Sequence, residues 1–134
     1  DTRPVVAVMK DRFTAVFDAA LKPVHERYGK PFTIVAAAYP SIDGGMMGST
    51  DVFDPDTQVW NAYTNKYTLD LMEQADGYEA LLQAIAKTPY ITGLYPFTYW
   101  PLALPQSKEH NIRGKPAESV VNAWYEQFAQ RDTR

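Results

Sequence analysis

The stretch Lys30-Pro31-Phe32-Thr33-Ile34-Val35-Ala36-Ala37-Ala38 decides the fold. From Phe32 to Ala37 it is short, apolar at nearly every position and partly β-branched. It therefore has no polar side to offer solvent, which suits a strand covered on both faces in a parallel sheet. A second run, Tyr90–Phe97, is led in the same way, by Thr88-Pro89 where the first has Lys30-Pro31. Both strands follow a helical segment after a two-residue link, Gly29-Lys30 or Thr88-Pro89. The connections that leave the strands are long, roughly Ala38 to Leu69 and Thr98 to Lys115. In parallel α/β folds the loops after the strands carry the site, and those at the opposite end stay short. Spacing alone points to the C-terminal ends of both strands.

Three helices flank these strands. The first is expected from about Asp11 to Tyr28, with Phe13, Val16, Phe17, Ala20, Val24 and Tyr28 on one face. Asp11 suits its N-cap. Pro23 lies inside it and predicts a kink or break, because proline removes a backbone donor. Gly29 ends it. The second helix opens at Asp70, with Glu73 at capping-box distance. Leu71, Ala75, Tyr78, Leu82 and Ile85 then give one buried stripe up to about Lys87. The third opens at Pro116, with Glu118 near the positive end of the helix dipole. Its apolar face is Ala117, Val120, Val121, Trp124 and Phe128. The order is α-β-α-β-α. Two parallel strands do not make a stable sheet by themselves, so the chain reads as part of something larger or as half of a split domain.

The segment from Lys30 through Tyr39-Pro40-Ser41 resembles the seventh strand of clan A glycoside hydrolases, most nearly the β-mannanase-like barrels of family 113. There a Lys-Pro lead-in runs through a strand to a catalytic Glu, and a Gly-Tyr-x-Ser follows. Gln74-Ala75-Asp76-Gly77-Tyr78-Glu79-Ala80-Leu81-Leu82 resembles the next helix of that family, and Gly93 to Trp100 its eighth strand with a closing Trp. Gly114-Lys115-Pro116-Ala117-Glu118 is similar to its C-terminal signature. The resemblance implies an α/β fold: the C-terminal quarter of a (β/α)8 TIM barrel, incomplete on its own, with residues 1–134 as one portion of a single domain. About six further βα units would complete it.

The sequence departs from the family at one decisive place. Retaining glycosidases use two carboxylates about 5 Å apart, one of them the nucleophile. On this resemblance the nucleophile position is Ala36, and Ala38 stands where the family has Gly. Thr33 to Ser41 contains no acid, and Asp43 in the following Gly-rich turn is the nearest substitute. The acid/base residue, after the family's fourth strand, lies outside this chain. The reading that follows is a non-catalytic glycan-binding or structural barrel, a pseudoenzyme with no catalytic residue of its own. The alternative is an active retaining β-glycosidase whose nucleophile is mutated here or whose groups lie elsewhere. Aromatic rings crowd the long loops, and sugars stack their C–H faces on such rings. Trp100, Tyr99, Tyr39 and Trp60 are the expected carbohydrate contacts.

The chain has 134 residues, 46% of them hydrophobic, which suits one domain with a core. It contains no cysteine, so it has neither disulfides nor thiolate ligands. A net charge of −3 without any basic block argues against nucleic acid. No apolar run approaches the roughly 20 residues of a membrane span. No cofactor is expected and no metal: Asp51, Asp54 and Asp56 with Gln58 lack calcium-loop spacing, and His25 and His110 have no ligand-spaced partner and read as surface residues. Gly44-Gly45 precedes no helix, so it is no phosphate loop. Met46-Met47 suggests a mobile or protein-covered loop tip. The chain opens at Asp1 without a signal peptide or sequon, which reads as a mature, trimmed or partial product. The expected partners are an oligo- or polysaccharide and the remainder of the barrel, in the same or another chain. The expected location is secreted or cell-surface.

Overall fold

A computed structural model describes residues 4–46, 53–54, 59–60 and 67–132, with the backbone alone at 53–54, 59–60 and 132. Helix α1 (Val6–Val16) passes through a π-turn (Phe17–Leu21) into α2 (Lys22–Tyr28). Strand β1 (Phe32–Ala37), a short antiparallel pair β2 (Phe53–Asp54) and β3 (Val59–Trp60), helix α3 (Leu71–Ala86), strand β4 (Ile91–Pro96) and helix α4 (Pro116–Asp132) follow. The α-β-α-β-α order holds, and β2–β3 is an addition within the first long connection.

The first helix departs from expectation at its start. It begins at Val6 with no side-chain cap, and Asp11 lies inside it, its carboxylate 3.0 Å from the Lys10 ammonium. At Pro23 the chain neither breaks nor loses its course. The Lys22 N–H reaches back five residues to the Phe17 carbonyl, a π-type bond that inserts one extra residue ahead of the proline. Pro23 then falls in the first turn of α2, where its missing N–H is not needed. Tyr90 also donates its hydroxyl to the Phe17 carbonyl, at 3.2 Å. Gly29 closes α2 in the left-handed conformation at φ 63°, as its lack of a Cβ allows.

Strands β1 and β4 pair in parallel, Ile34 opposite Leu94 and Val35 opposite Tyr95. The register slips between Val35 and Ala37, so Ala36 bulges out with φ 71°. The cause is visible at Ala37, whose carbonyl accepts both the Phe97 N–H (2.8 Å) and the buried Tyr78 hydroxyl (2.6 Å). Ala37 is pinned from strand and helix at once, and its neighbour takes up the slack.

Helix α3 packs against α1 on one side and α4 on the other. Tyr78, Leu81, Leu82 and Ile85 meet Ile91, Leu94, Ala117 and Val121 in one core. Asp70 caps α3 as expected, its Oδ1 accepting the Met72 and Glu73 N–H groups at 2.9 Å. Glu73 does not complete the capping box. Its carboxylate accepts from Gly44 (2.8 Å) and Met46 (2.7 Å) and so holds the turn after β1. The Asp70 N–H goes to the Ser41 carbonyl instead. Met46 lies directly over Gly77, where any Cβ would meet its sulfur at 2.5 Å; the loop tip is covered by α3 at this point.

Candidate functional site

The C-terminal ends of β1 and β4 bring together Ala36 to Pro40 and Phe97 to Trp100. Ala36 is exposed at the end of its strand. Tyr99 projects into solvent, 60% exposed, and Trp100 is 38% exposed. Tyr39 is half-buried, with its ring 6.3 Å from Phe13 and edge-on to Tyr78 at 5.0 Å. Burial pushes its phenol well above the ordinary range. Of the four expected carbohydrate contacts, Tyr99 and Trp100 are thus adjacent at one strand end, and Tyr39 backs onto the helices. The backbone of Trp60 lies in β3, but its ring is outside the described residues, as are Asp51, Asp56 and Gln58.

Several groups hold the Tyr99–Trp100 segment. Tyr99 donates its hydroxyl to Glu118 Oε1 at 2.6 Å, and the other Glu118 oxygen accepts from Gly114 at 2.7 Å. These bonds keep Glu118 below the usual carboxylate range, so it stays ionised and orients Tyr99. The Arg113 guanidinium lies 5.5 Å above the Tyr99 ring. It also donates to the carbonyls of Trp100 (3.1 Å) and Pro101.

Beneath the strand ends a buried polar network ties the two long connections together. Lys115 donates to Ser41 Oγ (2.9 Å) and to the Glu109 carbonyl (2.7 Å). Ser41 donates its own hydroxyl to that carbonyl at 3.2 Å. Gln74 Nε2 donates to the Tyr39 carbonyl at 2.6 Å and bridges to the carbonyls of Glu109 and His110. Burial lowers the Lys115 ammonium to about 8. His110 is buried as well, a correction to its reading as a surface residue, and burial pushes its imidazole below the ordinary value, with the Lys115 charge adding to the effect. His25 does lie at the surface, stacked on Tyr90 at 4.9 Å and donating Nδ1–H to the Lys30 carbonyl.

Among the described residues, Asp43, Asp70 and Glu73 bring carboxylate oxygens within 4.8 Å of one another. Both Glu73 oxygens and one Asp70 oxygen already accept backbone N–H groups. Asp70 and Glu73 therefore do the work of an N-cap and a loop clasp. Burial, the largest influence, pushes the Glu73 carboxyl up against the lowering effect of its two N–H donors. Sequence reasoning missed Ser41, Gln74, Asn111 and Arg113, whose roles depend on loops meeting in space. Lys115 stands in the Gly114 to Glu118 segment already singled out in the sequence, but nothing local to it announces its burial.

No protein-family model matches the chain, and no curated protein does. Solved structures do. A GH113 β-1,4-mannanase complex superposes with a TM-score of 0.63 at 24% identity, covering 87% of this chain and 36% of its own. A GH113 β-mannanase from Alicyclobacillus acidocaldarius, in complex with ManMIm, gives 0.61 at 25% identity over the same shares. A further GH113 β-1,4-mannanase structure gives 0.57. The chain spans about a third of the length of these proteins (36%). The fold is that of a GH113-like TIM barrel in part, an α/β segment with two of the barrel's strands. No described helix is long and apolar enough to cross a membrane.

Proposed function

We propose that this chain is the closing part of a glycoside hydrolase-like barrel that binds a β-linked glycan without cleaving it through the usual covalent route. The carrying observation is Ala36. It stands exposed at the C-terminal end of β1, in a bulge with φ 71°, at the position where the family resemblance expects the nucleophile. A methyl group has no lone pair with which to attack an anomeric carbon. Backbone held outside the common regions often marks a functional site, and here the outlier is retained without the carboxylate. Tyr99 and Trp100, side by side at the neighbouring strand end, supply the stacking faces, with Tyr39 behind them and Trp60 assigned to the same mouth. The rest of the barrel is the obligatory partner, and a polymeric substrate accords with a secreted or cell-surface protein.

The span of the chain supports a second reading. Two thirds of the comparable barrels lie beyond it, so an active retaining enzyme could draw both carboxylates from elsewhere. One experiment separates the two: β-1,4-mannan hydrolysis by the complete barrel, with and without Ala36→Glu. The expected result is binding of β-1,4-mannohexaose with no turnover by the Ala36 form. Ala36→Glu should restore hydrolysis where the acid/base group survives. The bulge already houses an L-residue at positive φ, so glutamate inherits that strain and adds none. Hydrolysis by the unaltered protein would overturn the pseudoenzyme reading.

A further inference from the structure

Trp100 is held by its main chain, and the holding groups arrive from 11 and 13 residues further along. Its N–H donates to Asn111 Oδ1 at 3.1 Å, and its carbonyl accepts from Arg113 at 3.1 Å. The same Asn111 oxygen accepts the Arg113 N–H at 3.3 Å, so one buried atom fixes both Trp100 and the residue that grips its other side. Asn111 is fully buried, and its Nδ2 has no partner among the described residues. What the side chain contributes is thus its acceptor oxygen. Arg113 in turn lies over Tyr99, whose hydroxyl is fixed by Glu118.

We propose that Asn111 is a positioning residue for glycan recognition, acting through Trp100 with Arg113 as its second arm. This rests on the reading of Tyr99 and Trp100 as the stacking surface. Two adjacent exposed rings on a loop would ordinarily sample many orientations, and ordering them on binding costs affinity. Here both main-chain polar groups of Trp100 are satisfied beforehand by one buried amide and one guanidinium. The direction in which the Trp100 side chain leaves the backbone is thus set before any ligand arrives.

The test uses the complete barrel labelled with 5-fluorotryptophan, with the Trp100 resonance assigned by Trp100→Phe and with β-1,4-mannohexaose as the probe. Asn111→Ala should shift and broaden the Trp100 fluorine signal, leave the other tryptophan signals in place and weaken binding about tenfold. Asn111→Asp keeps the acceptor oxygen but brings a carboxyl group into a fully buried site, so it should melt lower, yet the molecules that remain folded should keep the Trp100 signal and the binding that Asn111→Ala loses. If Asn111→Ala lowers the melting temperature but moves neither the Trp100 signal nor the affinity, Asn111 is structural and the proposal fails. Should that variant not fold, Arg113→Gln removes the second arm at the surface, and an unchanged Trp100 signal there overturns the proposal equally. Trp100→Ala separates the two readings. Unchanged mannohexaose binding in that variant would sink the glycan role, whereas the effect of Asn111 on the Trp100 signal would still stand.

Discussion

On the helix side of the β1–β4 pair, Ile34, Ala37, Ile91 and Leu94 join the core built with α3 and α4, and Tyr125 donates its hydroxyl to the Leu94 carbonyl. On the other side Val35 is 70% exposed and Tyr95 64%, and Thr33 and Thr92 are exposed as well. The outward face nevertheless carries no charged residue, and beside its two threonines it presents the large apolar surfaces of Val35 and Tyr95. A strand that faces water on one side normally alternates apolar and polar residues, and a strand covered on both sides does not. The composition of β1 therefore describes a strand with two covers, and the described residues supply one. The outer edges of both strands are also unpaired among those residues, a state that full-length barrels abolish by closure. The contrast between the faces is the physical content of incompleteness, and it matches the one-third span of the superposed barrels.

The largest effect should come from removing the absent cover altogether. The 134 residues expressed alone should self-associate and melt without a sharp transition, whereas the complete barrel should unfold cooperatively. Sedimentation and calorimetry decide it. A monomeric, cooperatively melting 134-residue protein would mean that the exposed face needs no partner, and the comparison would dissolve.

A pair of truncations in the complete barrel sharpens the contrast. Leu82 is fully buried on the helix side, and Leu82→Ala should cost about 2–5 kcal/mol by lost burial and cavity formation. Val35→Ala should cost about 1–3 kcal/mol once the barrel interior covers that face. Denaturant titration gives both numbers. A Val35 cost within about 0.5 kcal/mol, the usual range for surface positions, would show the face still wet in the complete protein.

Much of this architecture was readable from local pattern. Phe32–Ala37 was delimited by its own apolarity, and Asp70, Gly29 and Thr88-Pro89 marked helix ends by backbone chemistry that needs no distant partner. The failures share a cause. Asp11 has the side chain of a cap, but the helix is already under way from Val6, ahead of it, with Val5 as an N-cap that offers no side-chain bond. Glu73 sat at capping-box distance, yet two N–H groups nearly thirty positions earlier won its carboxylate. His110 had no sequence neighbour to suggest burial, and the loop around it is covered only because Ser41, Gln74 and Lys115 meet there. The position of Tyr99 and Trp100 at a strand end followed from loop length. What holds them, Asn111 and Arg113, did not, because hydrogen bonds across a folded loop leave no periodicity. The packing of the Tyr39 ring on Phe13 and Tyr78 was equally silent in the sequence, because those rings arrive from two other helices.

The smallest expected effect tests how dry the covered side is. Lys115 is 3% exposed, and its described partners are the Ser41 hydroxyl and the Glu109 carbonyl. Burial disfavours the ammonium form, bringing its pKa from 10.5 to about 8. Between these values the unfolded chain binds the proton that the folded chain has released, so stability rises with pH across this window and falls again as pH drops through about 8. Tyr39 and Tyr78 act oppositely at higher pH, because burial raises both phenols and the unfolded chain ionises first. The clean interval is therefore about pH 8 to 10. The neutral amine keeps its hydrogen bonds to Ser41 and Glu109, so little structure need change as the charge leaves. In the complete barrel, urea titrations across that interval should show the unaltered protein gaining stability relative to Lys115→Met, which has a similar length and no charge. Parallel curves for the two proteins would mean that water reaches the Lys115 ammonium, and that the helix side of the sheet is less fully closed than the face-to-face contrast requires.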